Sequence, residues 1–167
     1  MKLVVWLLAA VLVSPFASPL ASAVPDLTAQ AKALMRAGTA SQPQARALFE
    51  QAAGQGSGPA AYYLGLMLKN GMGGPQDSAA ALRWLELAAR RNVAPAMFIV
   101  ANLLLDSDVE KARYWLDAAC DLGYPEALQQ KSVALAEGQM GYAHNEEQAH
   151  LYLMMATHAM GHRPPEP

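Results

Sequence analysis

Four histidines lie within the last 24 residues of the chain, and their spacing could serve metal binding. They are His144, His150, His158 and His162. His158 and His162 are four positions apart, so on a helix their rings project from the same side. Met155 and Met160 add thioethers, which suit soft metals such as copper. The pattern predicts a weak copper or zinc site on the last helix; its alternative is surface histidines favoured by the helix dipole.

Other groupings that could carry chemistry are weak. The segment Gly71–Gly74 is rich in glycine, but no Lys follows it, so a turn explains it better than a phosphate loop. Asp106, Asp108 and Glu110 form an acidic cluster that lacks the glycine and the spacing of a calcium loop. No carboxylate pair or Ser-His-Asp grouping stands out. We therefore predict no catalytic residue, no cofactor and no enzymatic activity.

The first 23 residues read as an export signal rather than as part of the fold. Lys2 precedes an apolar run over residues 3–13, and the small tripeptide Ala21–Ala23 ends the segment. The apolar run is too short for a membrane span, which needs about 20 residues. We predict cleavage after Ala23 and a periplasmic or secreted protein that does not span a membrane.

Charge narrows the class of partner. Loss of Lys2 leaves 11 of the 12 Lys and Arg residues against 14 Asp and Glu, a net charge of 11 − 14 = −3. This charge offers no basic field for nucleic acid or anionic lipid, so the predicted partner is another protein or peptide. The remaining chain divides into a repeat domain at 24–161 and a Pro-rich tail at 162–167.

One submotif occurs four times: a capping residue, an Ala four positions later, then an aromatic residue or Leu, then a small pair. The copies begin at Ser41, Asp77, Asp108 and Asn145, at spacings of 36, 31 and 37 residues. Such spacings are typical of stacked helical repeats. The small pair of the third copy ends in Cys120, the only cysteine of the chain, so no disulfide can form within it. We predict that Cys120 fills the core as a small apolar residue.

A second helical segment recurs between these copies, with Pro in its first turn and a small residue at its middle. The prolines are Pro59, Pro95 and Pro125, and the small residues are Gly65, Ala101 and Ser132. In the third repeat the link between the two helices is shorter, which predicts a local change over 106–108. The pattern predicts an all-α fold, a stacked array of about four helix pairs. The repeats cover about 28–56, 60–92, 96–123 and 127–161.

The stretch from Ala60 to Asn92 resembles the Sel-1-like repeat (SLR) family, a branch of the tetratricopeptide-like (TPR-like) helical repeats. It has Ala and Leu-Gly in its first helix, a Gly-rich turn ending in Asp, and then Ala, Trp and Ala-Ala. The resemblance implies a right-handed α/α superhelix, or solenoid, of about four antiparallel helix-turn-helix repeats, whose first helices line a concave side. It also implies a non-enzymatic interaction module or adaptor, and some exported bacterial members are immunity proteins for secreted toxins. The alternative is a metal-binding or hydrolytic envelope protein that uses the His/Met cluster.

By analogy with related arrays, outward positions on the first helices would line the concave, partner-binding side. These positions are Tyr62, Lys69, Asn70, Phe98, Asn102, Asp106, Gln129 and Glu137. Mixed aromatic and amide side chains suit peptide contact, in which aromatic anchors carry most of the energy. Tyr62 and Phe98 could instead pack between neighbouring repeats.

The last predicted helix is apolar where the earlier second helices are polar. Five residues after the Ala, the four copies carry Glu50, Glu86, Asp117 and then Met154. Leu151 and Met155 extend this apolar face, and terminal repeats usually need a polar one. An exposed apolar patch commonly marks an interface. Three accounts stay open: packing by the Pro-rich tail, a homo-oligomer through the last helix, or docking of another protein.

Overall fold

The structure, a computed structural model, describes residues 26–162; the predicted export signal and residues 163–167 of the tail lie outside this part. Residues 26–162 form eight α-helices and one 3-10 turn, with no strand among them. The helices are α1 (Leu27–Ala37), α2 (Gln42–Gly54), α3 (Gly58–Asn70), α4 (Ser78–Arg90), α5 (Ala94–Leu104), α6 (Val109–Asp121), α7 (Pro125–Glu137) and α8 (Glu146–Gly161). The predicted all-α repeat superhelix is confirmed.

Capping side chains begin three of the four second helices. Oxygens of Asp77, Asp108 and Asn145 accept hydrogen bonds from backbone N–H groups three residues further on, at 2.8, 3.1 and 2.9 Å. Ser41 differs, because a 3-10 turn over Thr39–Ser41 runs straight into α2. The backbone of Ser41 is helical, whereas a cap needs an extended backbone to direct its side chain at the first turn. The predicted cap at Ser41 is therefore wrong.

Neighbouring helices pack in chain order, so that α3, α5 and α7 each lie between the second helix of their own repeat and that of the repeat before. The repeat's alanine is buried in every copy: Ala45, Ala81, Ala112 and Ala149. Gly65 of α3 lies so close to α4 that a Cβ atom built on it would be 2.6 Å from Cγ of Leu85. At the equivalent place in α7, the buried Ser132 hydroxyl donates to the carbonyl of Ala149 at 2.6 Å. The small mid-helix residues thus mark close helix crossings, as predicted.

The links within repeats differ in length, as the sequence indicates. Both α3 and α7 end at a glycine in the left-handed region, Gly71 and Gly138, each with φ of 67°. Each is followed by a loop, whereas α5 ends at Leu104 and α6 begins at Val109. No helix within residues 26–162 combines the length and the apolar character that a membrane crossing requires.

Candidate interaction surface on the last helix

Contacts between repeats identify the side of each second helix that meets the next repeat. Phe49 in α2 stacks on Tyr63 in α3, with ring centroids 5.2 Å apart. Asp117 in α6 forms an ion pair with Lys131 in α7 at 2.6 Å and accepts from the Tyr142 hydroxyl at 2.7 Å. Counted from the repeat's alanine, Phe49 is the fourth residue and Asp117 is the fifth. These two positions therefore face the following repeat.

The first position after the alanine reaches the loop of the next repeat. Nη1 of Arg46 donates to the carbonyl of Pro75 at 3.1 Å. In the same way, Nη1 of Arg113 donates to the carbonyl of Gly141 at 2.9 Å. The second repeat carries Leu82 at this position, and the third repeat that follows it is the one without a long loop. The arginine thus occurs where there is a loop carbonyl to accept its hydrogen bond.

The eighth residues after the repeat's alanine, Ala53, Ala89 and Cys120, are buried in the first three copies. We call the first, fourth, fifth and eighth residues after the alanine the junction positions. On α8 they are His150, Leu153, Met154 and Thr157, and all four are exposed. At the fourth position Phe49, Leu85 and Leu116 are 0% exposed, whereas Leu153 is 47% exposed. Met154 is 59% exposed. Within the described residues no helix pair follows α8, which leaves its junction positions uncovered.

The uncovered side of α8 is also chemically different from its counterparts. Met154 takes the fifth position, where Asp117 holds the next repeat through an ion pair. Leu151 is 57% exposed and Met155 is likewise exposed. We refer to Leu151, Leu153, Met154 and Met155 together as the α8 face. Leu151, Met154 and Met155 share one side of α8 at spacings of three and four residues, and Leu153 flanks Met154 on the junction side. An exposed apolar patch of this kind commonly marks an interface.

Sequence reasoning identified three residues of the α8 face and missed Leu153. The helical spacing of the repeat places the fourth residue after the alanine on the core side, and Phe49, Leu85 and Leu116 at this position are buried. Burial at that position depends on the next repeat as well as on the helix's own pair, as the stacking of Phe49 on Tyr63 demonstrates. The exposure of Leu153 could have been predicted from its place in the last recognised repeat, where no further repeat is available to cover the fourth position.

The residues predicted on the first helices do not form one continuous surface. Tyr62 is only 6% exposed, so the prediction that it stands outward is wrong, and it packs in the core. Phe98 is half-buried against Tyr124, and their ring centroids are 5.6 Å apart. This contact agrees with the alternative prediction that Phe98 packs between repeats. The side-chain amide of Asn102 exchanges two hydrogen bonds with that of Gln130, at 3.2 and 3.0 Å. Lys69 is half-buried, and the remaining predicted residues are exposed: Asn70, Asp106, Gln129 and Glu137.

The two histidines at the end of α8 lie side by side. The ring centroids of His158 and His162 are 4.7 Å apart, and α8 extends to Gly161, so His162 directly follows its last turn. No group of three or more His, Cys, Asp or Glu residues is arranged to hold a metal ion anywhere in residues 26–162. The metal site suggested by the sequence therefore has two imidazoles and no third such ligand from the described part of the chain.

A polar network holds the third repeat to the fourth. The ammonium of Lys131 lies 2.6 Å from Asp117 and 4.5 Å from the ring centroid of Tyr152. Burial opposes the charge of Lys131, but its contacts with Asp117 and Tyr152 outweigh burial and raise its pKa. Burial, and then the bond to Asp117, raise the pKa of Tyr142. The network orders the junction before α8 and presents no unused reactive group.

Comparison with known proteins follows the helix pairs. The Sel1 repeat matches residues 37–57, 58–93 and 94–124, more than half of the chain. The chain belongs to the Sel1 repeat family. In this Sel1 repeat protein α7 and α8 form a fourth pair beyond the matched residues. Sel1 repeats mediate protein-protein interaction.

One curated relative and two solved structures are similar to this chain. An uncharacterized protein of Neisseria meningitidis serogroup B is 32% identical over 122 residues, covering 73% of this chain and 25% of that protein. The crystal structure of a Sel1 repeat protein from Oxalobacter formigenes superposes with a TM-score of 0.72 at 22% identity, over 79% of this chain and 56% of that one. The crystal structure of a protective antigen of uropathogenic Escherichia coli with an SLR fold superposes with a TM-score of 0.37 at 22% identity, over 68% of this chain and 33% of that one. This chain thus spans a quarter of its curated relative.

Proposed function

We propose that the chain is an exported, non-enzymatic adaptor of the bacterial envelope that binds another protein through the α8 face. The exposure of Leu153 and Met154 carries this proposal, because their counterparts in earlier repeats are covered or polar. A helix laid along α8 would take the place that the next first helix takes in the internal repeats. Methionine adapts its shape to a partner, so Met154 and Met155 suit an incoming apolar helix.

A pull-down from envelope extract tests this surface. Leu153→Glu places a charge at the junction position four residues after the alanine, where a partner helix would pack, and should abolish capture of the partner, since a buried unpaired carboxylate is costly. Tyr114→Glu is the matched control, because Tyr114 is an exposed aromatic residue on α6, outside the junction positions. Both variants should keep the helical circular dichroism of the native protein. A partner retained equally by all three proteins would exclude the α8 face.

The exposed residues of the first helices are a second, smaller candidate surface. Asn70, Asp106, Gln129 and Glu137 are polar and would contact a peptide at the predicted concave side. Replacing Gln129 and Glu137 by Ala should weaken capture without abolishing it, because exposed polar contacts at a rim carry little energy. If this variant lost capture completely while Leu153→Glu still captured the partner, the main binding site would be on the first helices rather than on the α8 face.

Immunity against a secreted toxin is the more specific version of this function. An immunity protein protects a cell that exports the toxin, so expression of this chain should restore growth to a strain that expresses its cognate toxin. Export itself is tested by fractionation and amino-terminal sequencing, which should give Val24 as the first residue of periplasmic protein. Protein that retains Met1 and stays in the cytoplasm would contradict the envelope role.

A further inference from the structure

Four exposed residues on α8 form a seam that is nearly self-complementary. They are Glu147, Leu151, Met154 and His158, spaced at i, i+4, i+7 and i+11, which places them on one side of the helix. Leu151 and Met154 are the apolar centre, a carboxylate stands at the amino-terminal end, and an imidazole stands at the carboxyl-terminal end. Reversing the direction of the seam exchanges the acid with the imidazole and Leu151 with Met154.

We propose that a second copy of this chain covers α8, with the two α8 helices antiparallel about a two-fold axis between Leu151 and Met154. In this arrangement Leu151 of one copy lies opposite Met154 of the other. Glu147 lies opposite His158, whose ring N–H can donate to the carboxylate in the neutral or the charged state. Antiparallel helices also bring the carboxyl end of each dipole beside the amino end of the other. The inference rests on the proposed function, since it names the partner at the α8 face.

The other end of the array does not match the α8 face. The exposed residues of α1 lie on one side of that helix and are small or polar: Ala29, Gln30, Ala33, Arg36 and Ala37. None of them is a large apolar side chain able to fill the space around Leu151 and Met154. A head-to-tail contact would also leave a free end on every copy and build open fibres, whereas a two-fold contact closes. The seam therefore favours a dimer over a filament.

Sedimentation equilibrium of the purified protein tests the seam by exchanging its ends. Glu147→Lys sets a cation against His158, and His158→Glu sets two carboxylates against each other, so each change should weaken the dimer about tenfold or more. The double variant re-creates an acid-base pair with its ends exchanged and should recover most of the dimer. Glu110→Lys, a change at an exposed acid on α6 outside the junction positions, is the matched control and should have no effect. A double variant as weak as the single ones would overturn the antiparallel register.

Two further results separate this inference from the proposed function. Native protein that is monomeric at all concentrations, yet still captures a foreign partner that Leu153→Glu loses, would overturn the dimer and leave the adaptor role intact. A chain ending at His162 tests the tail as the occupant, because residues 163–167 follow α8 directly. Dimerisation that appears only after this truncation would show that the tail covers α8, and would overturn the dimer of the native chain. Native protein that neither dimerises nor captures a partner would exclude the two proposals together.

Discussion

Lys131 is the residue that departs furthest from the repeat pattern, because Leu64 and Val100 take its place in the two preceding repeats. Its side chain is 14% exposed, and the carboxylate of Asp117 compensates its charge. Asp117→Ala should lower the free energy of unfolding by about 1 kcal/mol, since the carboxylate is partly screened by water. Urea titration measures this loss, and Asp121→Ala on the same helix is an exposed control. Adding Lys131→Leu to this variant should recover the lost unfolding free energy, because an apolar residue needs no counter-charge.

The same network predicts a loss of stability in alkali. The pKa values of Lys131 and Tyr142 are both raised in the folded protein. A raised pKa contributes stability below the unfolded value and loses it as the pH rises through the folded value. The unfolding free energy should therefore begin to fall near the ordinary values of 10.0 for Tyr and 10.5 for Lys. A double variant, Tyr142→Phe with Lys131→Leu, should flatten this fall in urea titrations across that range; an unchanged slope would contradict the assignment.

Cys120 should be chemically inert in the native protein. Burial raises the pKa of its thiol to about 12, so the reactive thiolate is scarce at neutral pH. Reaction with a disulfide reagent should follow unfolding rather than precede it. Thr157→Cys offers an exposed thiol at the equivalent position of α8 and should react rapidly. Fast labelling of Cys120 in the folded protein would contradict its place in the core.

At the scale of elements, the crossing of α3 and α4 depends on the absence of a side chain at Gly65. Alanine is the better helix former by about 1 kcal/mol, yet its Cβ would overlap Leu85. Gly65→Ala should destabilise the protein by about 1–3 kcal/mol in urea unfolding, because overpacking shifts the helices apart. Gly54→Ala is the control, since no atom lies within 4 Å of its added Cβ, and it should cause no loss.

The elements themselves could be predicted from the sequence because their signals are local. The capping residues mark where α4, α6 and α8 begin, and the prolines of the first turns mark where α3, α5 and α7 begin. Ser41 misled this reasoning, since a 3-10 turn removed the extended backbone that a cap requires. Tyr62 and Leu153 misled it because their exposure is decided by neighbouring repeats, which lie outside the local pattern. The helices can thus be predicted from local sequence signals, whereas the exposed surface depends on whether another repeat packs beside each helix.

At the scale of the whole molecule, the array should loosen from its first helix. In α1 only Ala31 is buried, whereas α3 has buried residues along most of its length. In a linear array each unit is stabilised mainly by its neighbours, so a thin terminal contact opens first. Amide hydrogen exchange should be fastest in α1 and slowest in α3 and α4, measured by mass spectrometry of peptides. Protection in α1 equal to that of α3 would contradict the linear scheme.

The arginine at the first junction position gives the repeats a rule for exchange. Arg46 and Arg113 each bind a loop carbonyl of the repeat that follows, and Leu82 stands before the repeat without that loop. The length of the loop in one repeat is therefore coupled to the identity of the residue at the first junction position in the repeat before it. A designer who moves the second repeat to another place in the array must move the preceding arginine with it. The boundaries of exchangeable modules in this chain consequently run through the helices rather than between the repeats.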